Sequence, residues 1–200
     1  GNEVIEGDCL KLDYRDFYRG RKMKVVSNLP YSISTPVLIK LLRDRGMFSS
    51  LTLMLQLEVG ERITAAPGGR KYGSLSVLIQ TYMDVKIVFR VPPSSFWPKP
   101  KVDSAVLKFV PLARPRVPVS DERLHEMVLR AAFSSRRKML GNSLRSLLPK
   151  EAVESVLDSC GIDRSRRAET LTIEEFGMLA EEVIRGHNSG IIPDSTPGIE

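Results

Sequence analysis

Strand-like and helix-like segments alternate through the first 111 residues, and this alternation constrains the fold more than any other feature of the chain. Residues 4–6, 23–27, 50–58, 85–91 and 104–111 are short apolar runs of strand length. Residues 36–43, 59–66 and 74–82 place apolar side chains at helical spacing. A crossover helix returns the chain to the end of the sheet from which it left, so strands joined by helices pair in parallel. The last two strands break the rule. Only the proline-rich stretch 92–101 separates them, too short for a crossover helix, and they are expected to pair antiparallel. The class expected for this part is α/β.

The pattern then changes. Residues 112–118, Leu-Ala-Arg-Pro-Arg-Val-Pro, read as a linker, and from Ser120 the spacing is purely helical. Leu124, Met127, Val128 and Ala131 line one face of a helix for which Ser120 is the expected cap. Ala152, Val153, Val156 and Leu157 line the next clear helix, which Gly161 ends. Thr172 and Glu175 form a capping box ahead of Phe176, Leu179, Ala180 and Val183. The expected domains are therefore a sheet domain over 1–111, the linker, and a small all-α domain over 119–186. The tail 187–200 has no periodicity and is expected to be mobile.

Composition narrows the function. With 42% hydrophobic and 27% charged residues the chain is globular, and its longest apolar runs are too short to span a bilayer. The formal charge of +6 favours a polyanionic partner. Two cysteines (Cys9, Cys160) and two histidines (His125, His187) fall in no zinc spacing, so no metal is expected. Reduced cysteines suit a cytoplasmic protein.

The second candidate strand, Lys24-Val25-Val26-Ser27, runs into Asn28-Leu29-Pro30-Tyr31, and Thr35-Pro36 follows as an expected N-cap with proline at the first helical position. These residue types suit chemistry on an exocyclic amine. The amino group of adenine is a poor nucleophile because its lone pair is delocalised into the ring. An asparagine oxygen and a backbone carbonyl, exposed where proline bends the chain, can accept both amino hydrogens and localise that pair. A tyrosine ring can stack on the extruded base and hold it in line with a methyl donor.

Six ordered motifs carry a resemblance over roughly residues 4–184: Gly7-Asp8-Cys9-Leu10; 27–36, which contains Asn28-Leu29-Pro30-Tyr31; Gln56-Leu57-Glu58-Val59-Gly60-Glu61-Arg62; Tyr72-Gly73-Ser74-Leu75-Ser76-Val77; 96–106, from Phe96-Trp97-Pro98 to Val106; and Ala132-Phe133-Ser134-Ser135-Arg136-Arg137-Lys138. On these the chain resembles the KsgA-type ribosomal RNA adenine dimethyltransferases. The resemblance implies a Rossmann-like methyltransferase sheet, S-adenosylmethionine as cofactor, and two adjacent adenosines near the 3′ end of small-subunit rRNA as substrate during ribosome assembly. It gives Asn28, Leu29, Pro30 and Tyr31 the acceptor role, and Asp8 together with Asn28 the cofactor. Phe96 would stack on the base from the side opposite Tyr31, with Trp97 as its competitor. Arg136, Arg137 and Lys138 would contact RNA phosphates, joined by Lys99, Lys101, Arg70 and Lys71. Leu29 and the segment 102–106 favour this family over the related large-subunit methyltransferases of the macrolide-resistance type. A non-catalytic RNA- or DNA-binding relative, such as the mitochondrial transcription factors built on this fold, is the alternative from another class.

The sequence departs from the family in one respect. The Gly-rich loop that follows the family's first strand, and the acidic residue that follows its second, have no counterpart. Pro67-Gly68-Gly69-Arg70 follows a helix-like segment and reads as a turn. The chain opens at what resembles the family's third strand and is expected to be an N-terminally truncated form, binding cofactor weakly and inactive alone. Without neighbouring strands, residues 1–20 are expected to be displaced or poorly ordered. Residues 23–27 then become an apolar edge open to self-association, covered by another chain, a swapped segment or the N-terminus.

Overall fold

A computed structural model describes residues 4–188. The tail expected to be mobile lies outside these residues, apart from His187 and Asn188, which end the last helix. The elements run β1 Met23–Asn28, α1 Ser34–Arg43, β2 Phe48–Gln56, α2 Leu57–Ile63, α3 Ser74–Tyr82, β3 Met83–Val91, β4 Ser104–Pro111, α4 Glu122–Ala132, α5 Leu140–Ser143, α6 Lys150–Ser159 and α7 Ile173–Asn188. They divide into two compact units. Gly1–Glu61 with Tyr82–Ala113 forms the first, and Arg62–Thr81 with Arg114–Glu200 the second.

The first unit is built on one four-stranded sheet of order β1-β2-β4-β3. β1 and β2 are parallel, β4 is antiparallel to β2, and β3 is antiparallel to β4. The expected antiparallel final pair is present, and β4 lies between β2 and β3. Phe48, Leu51, Leu53 and Leu55 of β2, with Ala105, Leu107 and Phe109 of β4, are buried, as are Val37, Leu38, Leu41 and Leu42 of α1. Residues 4–6 are not a strand. They are irregular and Val4 is 94% exposed, because no strand among the described residues offers them a backbone ladder. The following stretch is tied down instead. A 3-10 turn at Tyr14–Phe17 is capped by Asp13, and the Tyr14 ring meets Phe48 edge-on at 5.6 Å with Lys40 Nζ 5.1 Å from its centre.

Two helix starts differ from expectation. α1 begins at Ser34 with Ile33 in the cap position and no side-chain cap, so Thr35 and Pro36 lie inside its first turn. Asp121, not Ser120, caps α4, its Oδ1 accepting from the N–H groups of Arg123 and Leu124 at 2.8 and 3.0 Å. Ser120 is committed elsewhere, its N–H and hydroxyl both donating to the Glu181 carboxylate at 2.6 Å. The buried face of α4 runs through His125, Val128, Leu129 and Ala132, while Leu124 and Met127 are half-buried.

In the second unit Gly161 ends α6 in the left-handed region, at φ +64°, where a side chain would be strained. The capping box of α7 forms as expected: Thr172 N–H donates to Glu175 Oε2 at 2.8 Å and Glu175 N–H to Thr172 Oγ1 at 3.2 Å. Residues 62–81 join these helices rather than the sheet. Buried Tyr72 meets Phe133 edge-on at 6.0 Å, and Phe133 packs on Phe176 at 5.3 Å. Gly68 N–H donates to the Glu169 carbonyl at 2.7 Å, and with φ +84° the 67–70 segment is the turn expected from its sequence.

Candidate active site

β1, β2 and β3 all finish at the end of the sheet where β4 begins. Asn28 lies opposite Met54, while Gln56 and Val91 both lie opposite Ser104. Carboxyl ends of strands are where open α/β sheets bind their ligands. Two chain segments leave the sheet here: the turn after β1 and the loop 92–103.

The turn is shaped by its own residues. Leu29 N–H donates to the Met54 carbonyl at 3.3 Å, the last bond between the two strands, because Pro30 has no N–H with which to continue. Buried Leu29 anchors the bend, leaving Asn28 and Pro30 exposed on either side. Ile33 N–H donates to the Pro30 carbonyl at 3.1 Å, and Ser34 Oγ to the Tyr31 carbonyl at 3.1 Å. The Leu29 carbonyl takes no part in these bonds. It is thus a backbone acceptor outside the turn's own hydrogen bonds, next in the chain to Asn28. Tyr31 is half-buried, and its hydroxyl lies 2.6 Å from Ser104 Oγ.

In the loop 92–103 a 3-10 turn at Pro93–Ser95 precedes Phe96, whose N–H donates to the Pro93 carbonyl at 3.2 Å. Phe96 is half-buried, and Trp97 is 96% exposed. Lys99 and Lys101 are exposed on the same loop. The Asp103 carbonyl accepts the Leu57 N–H at 2.9 Å and ties the loop's far end to α2. The structure thus brings Asn28–Tyr31 and the Phe96 loop to one sheet end. Asp8 is placed differently: its Oδ1 accepts the Leu10 N–H at 2.9 Å in an exposed turn with no strand before it.

Of the expected RNA contacts, the second unit joins Arg136 to the loop that carries Arg70 and Lys71. The Arg136 guanidinium donates to the Arg70 carbonyl, and to that of Tyr72 at 3.5 Å. Arg137 and Lys138 are exposed. Sequence reasoning missed Ser104 as the partner of Tyr31, because a hydroxyl contact across 73 positions leaves no local signal.

A family model described as Ribosomal RNA adenine dimethylase matches residues 2–185. The chain belongs to this family. It is 50% identical over 192 residues to the ribosomal RNA small subunit methyltransferase A of Geobacter sulfurreducens, covering 93% of this chain and 70% of that one. Identity to the protein of the same name from Clostridium acetobutylicum is 47% over 184 residues, covering 91% and 67%. Among solved structures, a dimethyladenosine transferase from Plasmodium falciparum superposes with a TM-score of 0.78 at 27% identity, over 95% of this chain and 74% of that one. The 23S rRNA methyltransferase ErmE, at 22% identity and a TM-score of 0.63 over 91% and 72%, shares the fold.

Membership makes this an S-adenosylmethionine-dependent methyltransferase sequence, with which the residues present fit in part. Asn28 stands at the carboxyl end of the sheet, whereas Asp8 lies in the exposed turn 8–11 with no strand before it. Among the described residues no His, Cys, Asp or Glu group could hold a metal ion, and no helix is long and apolar enough to cross a membrane.

Proposed function

We propose that the chain carries the base-accepting site of an rRNA adenine N6,N6-dimethyltransferase, acting on two adjacent adenosines near the 3′ end of small-subunit rRNA in the cytoplasm during ribosome assembly. The observation that carries this reading is the Asn28–Tyr31 turn at the carboxyl end of the sheet, with Asn28 exposed, the Leu29 carbonyl outside the turn's bonds and the Tyr31 hydroxyl bonded to Ser104. S-adenosylmethionine supplies an electrophilic methyl group in this chemistry. Asn28 Oδ1 and the Leu29 carbonyl accept the two amino hydrogens, so the nitrogen lone pair leaves the plane of the ring and points at the donor. Tyr31 and Phe96 hold the base between their faces, each stack contributing roughly 1–3 kcal/mol. After transfer the amine is cationic and gives its proton to water, so no side chain is needed as a general base. Arg136, Arg137, Lys138, Arg70, Lys71, Lys99 and Lys101 serve the RNA backbone, which carries affinity without reading sequence. The open edge of β1 is proposed as a self-association surface.

Methyl transfer from labelled donor to immature small subunits tests the central claim. In the full-length enzyme, which carries the cofactor loop, Asn28→Ala is expected to lower the rate at least about 100-fold, the scale set by losing one preorganised polar contact at a reacting atom. RNA affinity should stay within about twofold. Loss of rate and affinity together would make Asn28 a residue that shapes the loop rather than one that acts on the amine.

A further inference from the structure

We propose that Ser104 is the positioning residue of the base-holding ring. The inference rests on the reading above, in which Tyr31 stacks on the target adenine. Ser104 Oγ lies 2.6 Å from the Tyr31 hydroxyl, and either oxygen can donate. The side chain is fully buried, at 0% exposure, so its hydroxyl has no water to turn to and depends on a protein partner.

Ser104 is also the least movable anchor this end of the sheet offers. As the first residue of the central strand β4, it is paired across to Gln56 of β2 on one side and Val91 of β3 on the other. Its neighbour Asp103 is held by the Leu57 N–H at 2.9 Å. Tyr31, by contrast, stands on a turn. Its main chain is fixed by the Ser34 hydroxyl at 3.1 Å, but that bond leaves the ring free to swing about χ1 and χ2. The hydroxyl is the far tip of the ring and lies on the χ2 axis. A bond there holds χ1 and fixes the direction in which the ring projects, while the in-plane preference of the phenolic O–H biases χ2 only weakly. A ring held at both ends has one axis, and stacking depends on where that axis places the ring. The loop carrying Phe96 starts after Val91 and ends at Ser104, so the same residue sets where that loop rejoins the sheet.

The role differs from that of a group touching the base. Ser104 acts through Tyr31, and its effect belongs in the reaction step rather than in RNA capture, which the phosphate contacts carry. Steady-state methylation of immature small subunits by the full-length enzyme, which carries the cofactor loop, with Ser104→Ala, Tyr31→Phe, both together, or Tyr31→Ala tests this. Ser104→Ala and Tyr31→Phe should each lower kcat about tenfold with KM for RNA within about twofold. The double variant should be no slower than either single, since both remove the same bond. Tyr31→Phe keeps the ring and the buried serine, so it carries the test if Ser104→Ala fails to fold. Wild-type kcat in Ser104→Ala and Tyr31→Phe, with Tyr31→Ala severely impaired, would overturn the positioning role and leave the stacking reading intact. Multiplied losses in the double variant, or a rise in KM matching the fall in kcat, would reduce Ser104 to general packing. A wild-type rate in Tyr31→Ala would defeat the stacking reading itself.

Discussion

His125 occupies a position that a cation cannot hold cheaply. It is fully buried on α4, and burial brings its imidazole down to about 4, against the weaker opposing pull of Glu122 and Glu126 on its own helix and Glu181 on α7. The histidine is therefore neutral in the fold at neutral pH, while the unfolded chain takes up a proton near 6.5. The sign follows from linkage. Above pH 6.5 neither state is protonated and nothing is lost. As the pH falls from 6.5 to 4 the unfolded state gains the proton first, so stability falls by up to about 1.4 kcal/mol per pH unit and levels off below 4. Urea unfolding is expected to show about 2 kcal/mol less stability at pH 5 than at pH 7, most of it absent in His125→Gln. The same slope in both proteins would assign the effect to other groups. The sequence marked only the apolar neighbours of this residue. Periodicity finds the side of a helix, and here the centre of the buried face was a titratable residue that a count of apolar positions passes over.

At the scale of elements, what could be read was what periodicity and length determine. The sheet strands β1 to β4, the antiparallel final pair, the stop at Gly161 and the capping box of α7 all follow from local rules. What escaped depended on a partner distant in sequence. Residues 4–6 have the composition of a strand and no ladder to join, and Ser120 looked like a cap until Glu181 claimed it. β1 shows the same dependence from the other side. It pairs with β2 alone among the described residues, so its outer backbone edge is open, and Val26 is 81% exposed beside it. Open edges with apolar side chains template pairing with other chains, and a lysine on such an edge opposes it. Lys24, exposed two residues before Val26, already acts in that sense. Sedimentation is expected to show concentration-dependent association that Val26→Lys weakens without altering the helical content. A monomer at all concentrations in the unsubstituted protein would remove β1 as an association surface.

For the molecule as a whole, composition gave the sign of the partner's charge, and the fold decides how the cations are deployed. The linear reading placed a boundary near residue 111, whereas the contacts assign 62–81 to the helical unit. The aromatic contacts Tyr72–Phe133 and Phe133–Phe176 explain why, since they join three separate stretches of sequence. This arrangement changes what a charge reversal at the basic run can test. Arg136 donates to the Arg70 and Tyr72 carbonyls, so reversing it would release the 67–72 loop as well as remove a charge. Arg137 and Lys138 are exposed, and reversing them alone leaves that staple in place. If both meet phosphates, each contact releases counterions on binding, and the dependence of log affinity on log salt should become shallower by roughly 0.7–0.9 per contact removed. Arg137→Glu with Lys138→Glu is therefore expected to weaken binding to small-subunit rRNA most at low salt, with the two affinities converging as salt rises. Adding Arg136→Glu should reduce affinity further while also raising protease cleavage within 67–72. A salt slope unchanged in the double variant would return Arg137 and Lys138 to an ordinary solvated surface.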